Sequence, residues 1–293
     1  MDGTLIEAWA SQKSFQRKET VRWVFTFTAT AYNLVRIRNL MTPARWPMPF
    51  PLAHPAMAVP FRRLCPKYLD FPALIIGSIA PDFAACIDDW EYFSHTVLGS
   101  FVFCLPFGLL TLWIFRRVRC RFASSFPDPH RGALLPLCTG TPRSFLHVIL
   151  SLLLGSWLHI VWDLFTHDYS WLVHRFAVLS RPIVGFQLHY LIWVLSSVIG
   201  IAIVIAVYGS LLRKRTGSLW ITSPADRRAY ALWCCILAVP FVGAVPLALH
   251  NAGPGYGGGS LLRILSMYYL GCAYVTLAIT GFFLKPRAPV MDS

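Results

Sequence analysis

Charged residues are scarce in this 293-residue sequence, and that scarcity indicates which structural class of protein it belongs to. Only 13% of the residues are charged and 56% are hydrophobic, with a mean hydropathy of +0.56. Soluble domains carry charge on about 25% of their residues. The composition therefore predicts an all-α, polytopic membrane protein whose main partner is the lipid bilayer.

The sequence also lacks the closely spaced cysteines that make a disulfide framework or a thiolate zinc site. Its eight cysteines are scattered without a Cys-x-x-Cys pair, and several lie inside apolar stretches, among them Cys104, Cys234 and Cys272. Both kinds of site need paired cysteines. The sequence thus disfavours both.

Acidic residues are few as well, with 13 Asp and Glu against 26 Lys and Arg. Such an excess can indicate nucleic-acid binding, but here the basic residues form short clusters beside apolar stretches, RRVRCR at 116–121 and RKR at 213–215. Clusters of this kind are typical of cytoplasmic loops that anchor membrane spans. We therefore expect no nucleic-acid partner.

Five apolar stretches are long enough to cross a bilayer, which takes about 20 residues. They are Leu98–Phe115, Phe145–Phe165, Leu188–Leu212, Tyr230–Leu249 and Leu261–Leu284. A shorter stretch, Phe71–Ala80, is flanked or interrupted by proline and glycine and predicts a buried or re-entrant helix. About five transmembrane helices and some shorter N-terminal helices are expected.

Three regions are predicted along the chain. Residues 1–47 form a poorly defined extension, and translation could start at Met1, Met41 or Met48. Residues 48–215 form a core with the first three spans, and residues 216–293 add the last two.

The basic residues also predict an orientation. They follow the first, third and fifth spans and precede the second and fourth, as the positive-inside rule requires if those ends are cytoplasmic. Exceptions are Arg175, Arg181 and Arg263. This orientation places His95, His159, Asp163 and His167 on the non-cytoplasmic side.

Histidines and aspartates in so apolar a chain are the first candidates for chemistry, because burying them is costly unless they are paired or bind a metal. His159, Asp163 and His167 are spaced at four residues, so a continuous helix would place them on one face. A buried His–Asp hydrogen bond would produce the same pattern. Nitrogen and oxygen donors without thiolate suit zinc and, less specifically, manganese or iron. The candidate metal ligands are His54, Asp82, His95, His159, Asp163 and His167.

Four segments resemble a bacterial family known as domain of unknown function 4184. They are MPFPLAHPA (48–56), LIIGSIAPDF (74–83), FSHTVLG (93–99) and LLLGSWLHIVWDLFTHDYSWLV (152–173). The resemblance implies location in the bacterial inner membrane and implies no activity.

The order His, Pro-Asp, His-Thr, His-x-x-x-Asp is also similar to that of inner-membrane metal-dependent hydrolases of the LexA-binding type, and more distantly to the zinc phospholipase C and P1 nuclease fold. That resemblance implies one or two metal ions, zinc foremost, with His54, Asp82, His95, His159 and Asp163 as ligands. His167 would be a ligand or a partner of one.

The resulting hypothesis is a metal-dependent hydrolase of a phosphoester, lipid or lipid-linked, at the non-cytoplasmic face. Asp88, Asp89 or Glu91 would act as general base, unless these residues form a solvated acidic loop. The alternative is a non-catalytic protein whose His/Asp residues guide a proton or small solute, or tie helices together.

Overall fold

The fold is known from a computed structural model that describes residues 51–84, 90–141, 143–183, 185–216, 227–251 and 258–285. The predicted extension 1–47 lies outside these residues, and the division of the remaining chain at residue 215 stays a prediction.

Helices dominate the described residues. In chain order they are α1 (Val59–Leu64), α2 (Phe71–Phe83), α3 (Trp90–Ser94), α4 (Val97–Ser125), α5 (His130–Leu134), α6 (Phe145–Thr166), α7 (Trp171–Arg175), α8 (Leu188–Thr216), α9 (Arg227–Asn251) and α10 (Gly258–Phe283). A 3-10 helix, Pro51–Ala58, precedes α1. The short strands β1 (Pro182–Ile183) and β2 (Phe186–Gln187) pair in antiparallel fashion just before α8. The all-α prediction is confirmed.

Five helices are long and apolar enough to cross a membrane, one for each predicted span. They are α4, α6 with α7, α8, α9 and the Ile264–Phe283 part of α10. These helices expose large apolar side chains such as Leu195, Val242 and Phe283, as a lipid-facing surface requires. The chain is therefore a multi-pass membrane protein.

The short apolar stretch forms α2, a helix of 13 residues that is buried around most of its circumference, so the predicted buried helix is confirmed. Asp70 caps its start by accepting a hydrogen bond from the Ala73 amide, and Pro72 occupies its first turn, where no amide partner is needed. Arg116 of α4 pairs with the Asp70 carboxylate at 2.8 Å. The N-terminus of α2 is thereby tied to α4.

Helices α2 and α6 cross at very close range. A Cβ atom on Gly77 would overlap the Leu152 carbonyl oxygen, and one on Gly155 would overlap the Leu74 carbonyl oxygen. Pro81 has no amide hydrogen, so it leaves the Gly77 carbonyl without its usual helical donor. The Ser156 hydroxyl lies 3.2 Å from that carbonyl and 3.1 Å from the Leu152 carbonyl of its own helix, so it can share its one hydrogen with α2. Small residues and one interhelical hydrogen bond thus fix α2 against α6.

We expect Gly77→Ala and Gly155→Ala each to destabilise the protein by about 1–3 kcal/mol or more, because the added methyl group forces two backbones apart. Thermal unfolding of the detergent-purified protein measures the effect. Gly209→Ala on α8 is the matched control, since a Cβ there meets nothing within 4 Å. Equal unfolding temperatures for all three variants would contradict the close crossing.

Candidate metal centre

Four segments bring the six candidate ligands to one place. His54 comes from the 3-10 helix, Asp82 from the last turn of α2, and His95 from the link between α3 and α4. His159 and Asp163 belong to the last turns of α6, and His167 directly follows that helix. All six side chains are buried, each at most 7% exposed: His54, Asp82, His95, His159, Asp163 and His167.

The end of α6 differs in one detail from the prediction. The helix stops at Thr166, and His167 adopts an extended conformation just after it, so the expected continuous helix through His167 is wrong. The imidazole of His167 nevertheless turns back, with Nδ1 3.2 Å from the Asp163 carbonyl oxygen and 3.7 Å from Asp163 Oδ1. His167 therefore stays beside Asp163 without sharing its helix.

Four of the side chains meet at the centre of the cluster. His159 Nε2 lies 3.1 Å from His95 Nε2, 3.0 Å from Asp163 Oδ2 and 3.4 Å from Asp82 Oδ1. His95 Nε2 lies 3.2 Å from Asp163 Oδ2 and 3.9 Å from Asp82 Oδ1. Two imidazoles and two carboxylates thus direct nitrogen and oxygen atoms at a common point.

The hydrogen-bond network assigns the tautomer of His159. Its Nδ1 lies 2.8 Å from the Ser78 carbonyl oxygen, which can only accept. Nδ1 therefore carries the hydrogen, and in the neutral ring Nε2 presents a lone pair to the cluster. Metal-binding histidines commonly donate their other ring N–H to a backbone carbonyl in this way.

His95 is held in the same manner through a serine. The Ser94 hydroxyl donates to the Pro81 carbonyl at 3.0 Å and lies 3.1 Å from His95 Nδ1. With its hydrogen directed to Pro81, the hydroxyl accepts from Nδ1, so His95 Nε2 also carries a lone pair. Two lone pairs that face each other repel unless a proton or a metal ion lies between them.

Other atoms of the cluster lack hydrogen bonds. Among the described residues, His54 Nε2, His167 Nε2 and both carboxylate oxygens of Asp163 are buried and have no hydrogen-bond partner. Asp163 Oδ2 lies 3.2 Å from His95 Nε2 and 3.0 Å from His159 Nε2, and nitrogen atoms that carry lone pairs donate no hydrogen to it. Buried polar atoms are almost always satisfied, so these atoms indicate a missing partner such as a cation.

The donor set and its spacing fit a metal ion. A tetrahedral ion about 2.0–2.1 Å from each ligand holds its ligands roughly 3.3 Å apart. The separations at the centre run from 3.0 to 3.9 Å. His54, Asp82, His159 and Asp163 also each offer an atom within 4.8 Å of the others, so more than one choice of four ligands is possible. The buried cluster could hold a metal ion.

His54 lies outside the membrane spans, at one side of this centre. Its Nε2 is 3.8 Å from Asp82 Oδ2, and its ring centroid is 3.9 Å from that of His159. Burial, followed by the neighbouring His159, holds the pKa of His54 well below its usual value. His54 is therefore neutral at physiological pH, which is the form that binds metals.

Comparison with known proteins places the chain in a family. The family described as "Domain of unknown function (DUF4184)" matches residues 48–282. The chain belongs to this family. The DUF4184 match includes all six cluster residues and reaches into α10. No curated protein and no solved structure matches the chain, and the more distant resemblance to hydrolases remains a hypothesis.

The predicted catalytic residues are not among those whose side chains are described. Asp88 and Asp89 lie outside the described residues, and Glu91 belongs to α3 without a described side chain. Sequence analysis also missed Ser78 and Ser94, which orient the two central histidines in this DUF4184 protein. Ser94 directly precedes His95, and Ser78 lies one helical turn before Asp82, so their proximity in sequence was the available signal.

We expect the detergent-purified DUF4184 protein to contain about one or two equivalents of a divalent metal, zinc foremost. His159→Ala and Asp163→Ala each remove a central ligand and should lose the metal, as measured by plasma mass spectrometry. His147→Ala is the matched control, because His147 lies on the same helix three turns away and contacts Ser144. Folded wild-type protein that stays metal-free after supplementation would contradict a metal centre.

Proposed function

We propose that this protein is a metal-dependent hydrolase that cleaves a phosphoester of a lipid or lipid-linked substrate at the non-cytoplasmic face of the bacterial inner membrane. One observation carries the proposal: the lone-pair nitrogens of His95 and His159 and the carboxylate oxygens of Asp82 and Asp163 converge in a buried site. In an apolar bundle, such a group of atoms is costly without a cation.

A divalent ion in this site would lower the pKa of a bound water and neutralise charge on a phosphoryl group. The residues of the chain have separate tasks around it. Asp82 and Asp163 supply the negative charge that attracts a dication. Ser94 and the Ser78 carbonyl accept from the Nδ1 atoms of His95 and His159, so the two rings are held with Nε2 directed at the ion.

The proton acceptor is proposed from the sequence. Asp88, Asp89 and Glu91 lie in the chain between Asp82 and His95, so each is within a few residues of a central ligand. One of these carboxylates would take the proton from the attacking water as general base.

An apolar groove beside the cluster supports a lipid substrate. It has a volume of about 430 Å³ and lies between the 3-10 helix, α6 and α8. His54 lines the groove, as do Leu195 and Ile199, which are 60% and 56% exposed on the outer face of span α8. A groove that connects a lipid-facing helix surface to a polar cluster suits an acyl chain whose phosphoester lies at the cluster.

The proposed orientation is supported by the basic ends of the spans. Arg121 near the end of α4 donates to the Phe282 carbonyl at the end of α10, so two of these ends lie together. The His/Asp cluster lies near the other ends of α4 and α6. Under the positive-inside rule, this arrangement supports the proposal that the cluster lies on the non-cytoplasmic side.

We expect the metal-loaded protein to hydrolyse phosphoesters, and Asp82→Asn to reduce the rate roughly 100-fold or more, because a central carboxylate loses its charge. The assay compares a soluble aryl phosphate with phospholipids in mixed micelles, before and after chelation and zinc addition. His147→Ala again serves as control. A protein that binds metal but cleaves no phosphoester would disprove the proposed reaction without contradicting the metal site. A metal-free protein would favour a cluster that joins helices or guides a proton.

The groove generates a separate prediction about substrate class. Ile199→Trp fills the groove and should slow hydrolysis of a phospholipid about tenfold or more, while cleavage of a soluble aryl phosphate changes little. Val198→Trp is the matched control, because Val198 is the adjacent residue, is 61% exposed and does not line the groove. If Ile199→Trp slowed hydrolysis of both substrates equally, or if both variants slowed phospholipid hydrolysis equally, the groove would not be the site that holds the lipid.

A further inference from the structure

A second cavity lies at the opposite end of α2 from Asp82. It has a volume of about 360 Å³, and Phe71 at the start of α2 lines it. Phe71 and Asp82 are eleven residue steps apart along the helix, which corresponds to about 17 Å. The cavity is therefore distinct from the His/Asp cluster. Four arginines line it, and we call it the arginine pocket: Arg62, Arg116, Arg119 and Arg143.

Positive charge exceeds negative charge in the arginine pocket. Its lining includes four guanidinium groups and one carboxylate, Asp70, which pairs with Arg116 at 2.8 Å. Among the described residues, the other three arginines form no ion pair with a carboxylate. The pocket thus has a surplus of three positive charges.

The three remaining arginines are held in place by neutral groups. Arg119 donates to the Cys138 carbonyl and Arg143 to the Pro66 carbonyl, both at 2.8 Å, while Arg62 lies over the Phe71 ring. Each carbonyl bond uses one N–H of a group that has five. Arg119 Nε is buried and has no hydrogen-bond partner among the described residues. Donors are therefore available for an anion.

Simple membrane anchoring does not account for this convergence. An arginine that only anchors a helix end is expected to be exposed. Arg117 on the same helix fits this description, because it is exposed, lies over the Trp113 ring and does not line the pocket. Arg116 and Arg119 instead line the same cavity as Arg62 and Arg143, which come from other segments. Basic pockets at the basic end of a helix bundle are a known way to hold anionic headgroups.

We propose that the arginine pocket is a binding site for a phosphate group, carried by an anionic lipid headgroup or by a soluble phosphate compound. The planar guanidinium fork matches phosphate oxygens with paired hydrogen bonds. The volume is in the range of small-ligand sites, roughly 300–1,000 Å³. The site does not depend on the proposed hydrolase activity.

Native mass spectrometry of the full-length protein in neutral detergent tests this site. The probes are phosphatidylglycerol, phosphatidylcholine and inorganic phosphate, each titrated separately. The test variant is Arg62→Gln/Arg143→Gln, whose two positions are exposed enough to be replaced without disturbing the core. The control is Arg117→Gln/Arg213→Gln, which removes the same charge from exposed positions outside the pocket.

Wild type and control should bind one phosphatidylglycerol tightly, and the test variant should bind it about tenfold or more weakly. If phosphatidylglycerol is the one probe that binds tightly, the phosphate group comes from a lipid. If inorganic phosphate binds equally tightly and the test variant weakens that binding, the phosphate group comes from a soluble compound. Equal affinities in test and control variants would overturn the proposal, as would the absence of phosphate or phosphatidylglycerol binding. Unfolding temperatures of both variants show that each is folded.

Discussion

The close crossing of α2 and α6 is the contact on which the candidate site depends. Gly77 and Gly155 allow the two backbones to approach so closely that the Ser156 hydroxyl of α6 contacts the Gly77 carbonyl of α2. Ser78 directly follows Gly77 on α2, and His159 lies one turn after Gly155 on α6. The His159 ring donates to the Ser78 carbonyl. The distance between helices therefore sets the tautomer of the histidine. A wider crossing would remove both the packing contact and the hydrogen bond that orients the ring.

The polar groups of the cluster are only partly compensated by protein atoms. Backbone carbonyls and Ser94 satisfy the Nδ1 atoms of His95 and His159. No described group satisfies Asp163 or the Nε2 atoms of His54 and His167 through a hydrogen bond. The hydrogen bonds of these two Nδ1 atoms lie on the outer side of the histidines, and their Nε2 atoms lie close to Asp163 Oδ2. Such outer hydrogen bonds are common for histidines that bind a metal, and the cluster could hold a metal ion.

Features that depend on local sequence pattern were predicted correctly from the sequence. Hydropathy predicted all five spans, and the four-residue spacing predicted that His159 and Asp163 share a helix face. The prediction that His167 lies on the same helix was wrong, because the helix ends one residue earlier and residue spacing contains no information about where a helix ends. The arginine pocket was missed for a different reason. Its arginines come from three distant segments, and in the sequence they look like ordinary positive-inside residues. Convergence of this kind depends on tertiary packing.

Helix α2 joins two sites of opposite character. Asp70, which caps its start, offsets one positive charge of the arginine pocket, and Asp82 in its last turn contributes negative charge to the cluster. Both ends are fixed, by Arg116 at the start and by the Ser94 contact to Pro81 at the end. A helix of 13 residues is too short to cross a bilayer, yet its polar ends are surrounded by longer spans. The two ends also differ in burial, because the cluster around Asp82 is buried whereas Arg62 and Arg143 of the arginine pocket are exposed, so α2 connects an enclosed site with negative charge to an open site with positive charge.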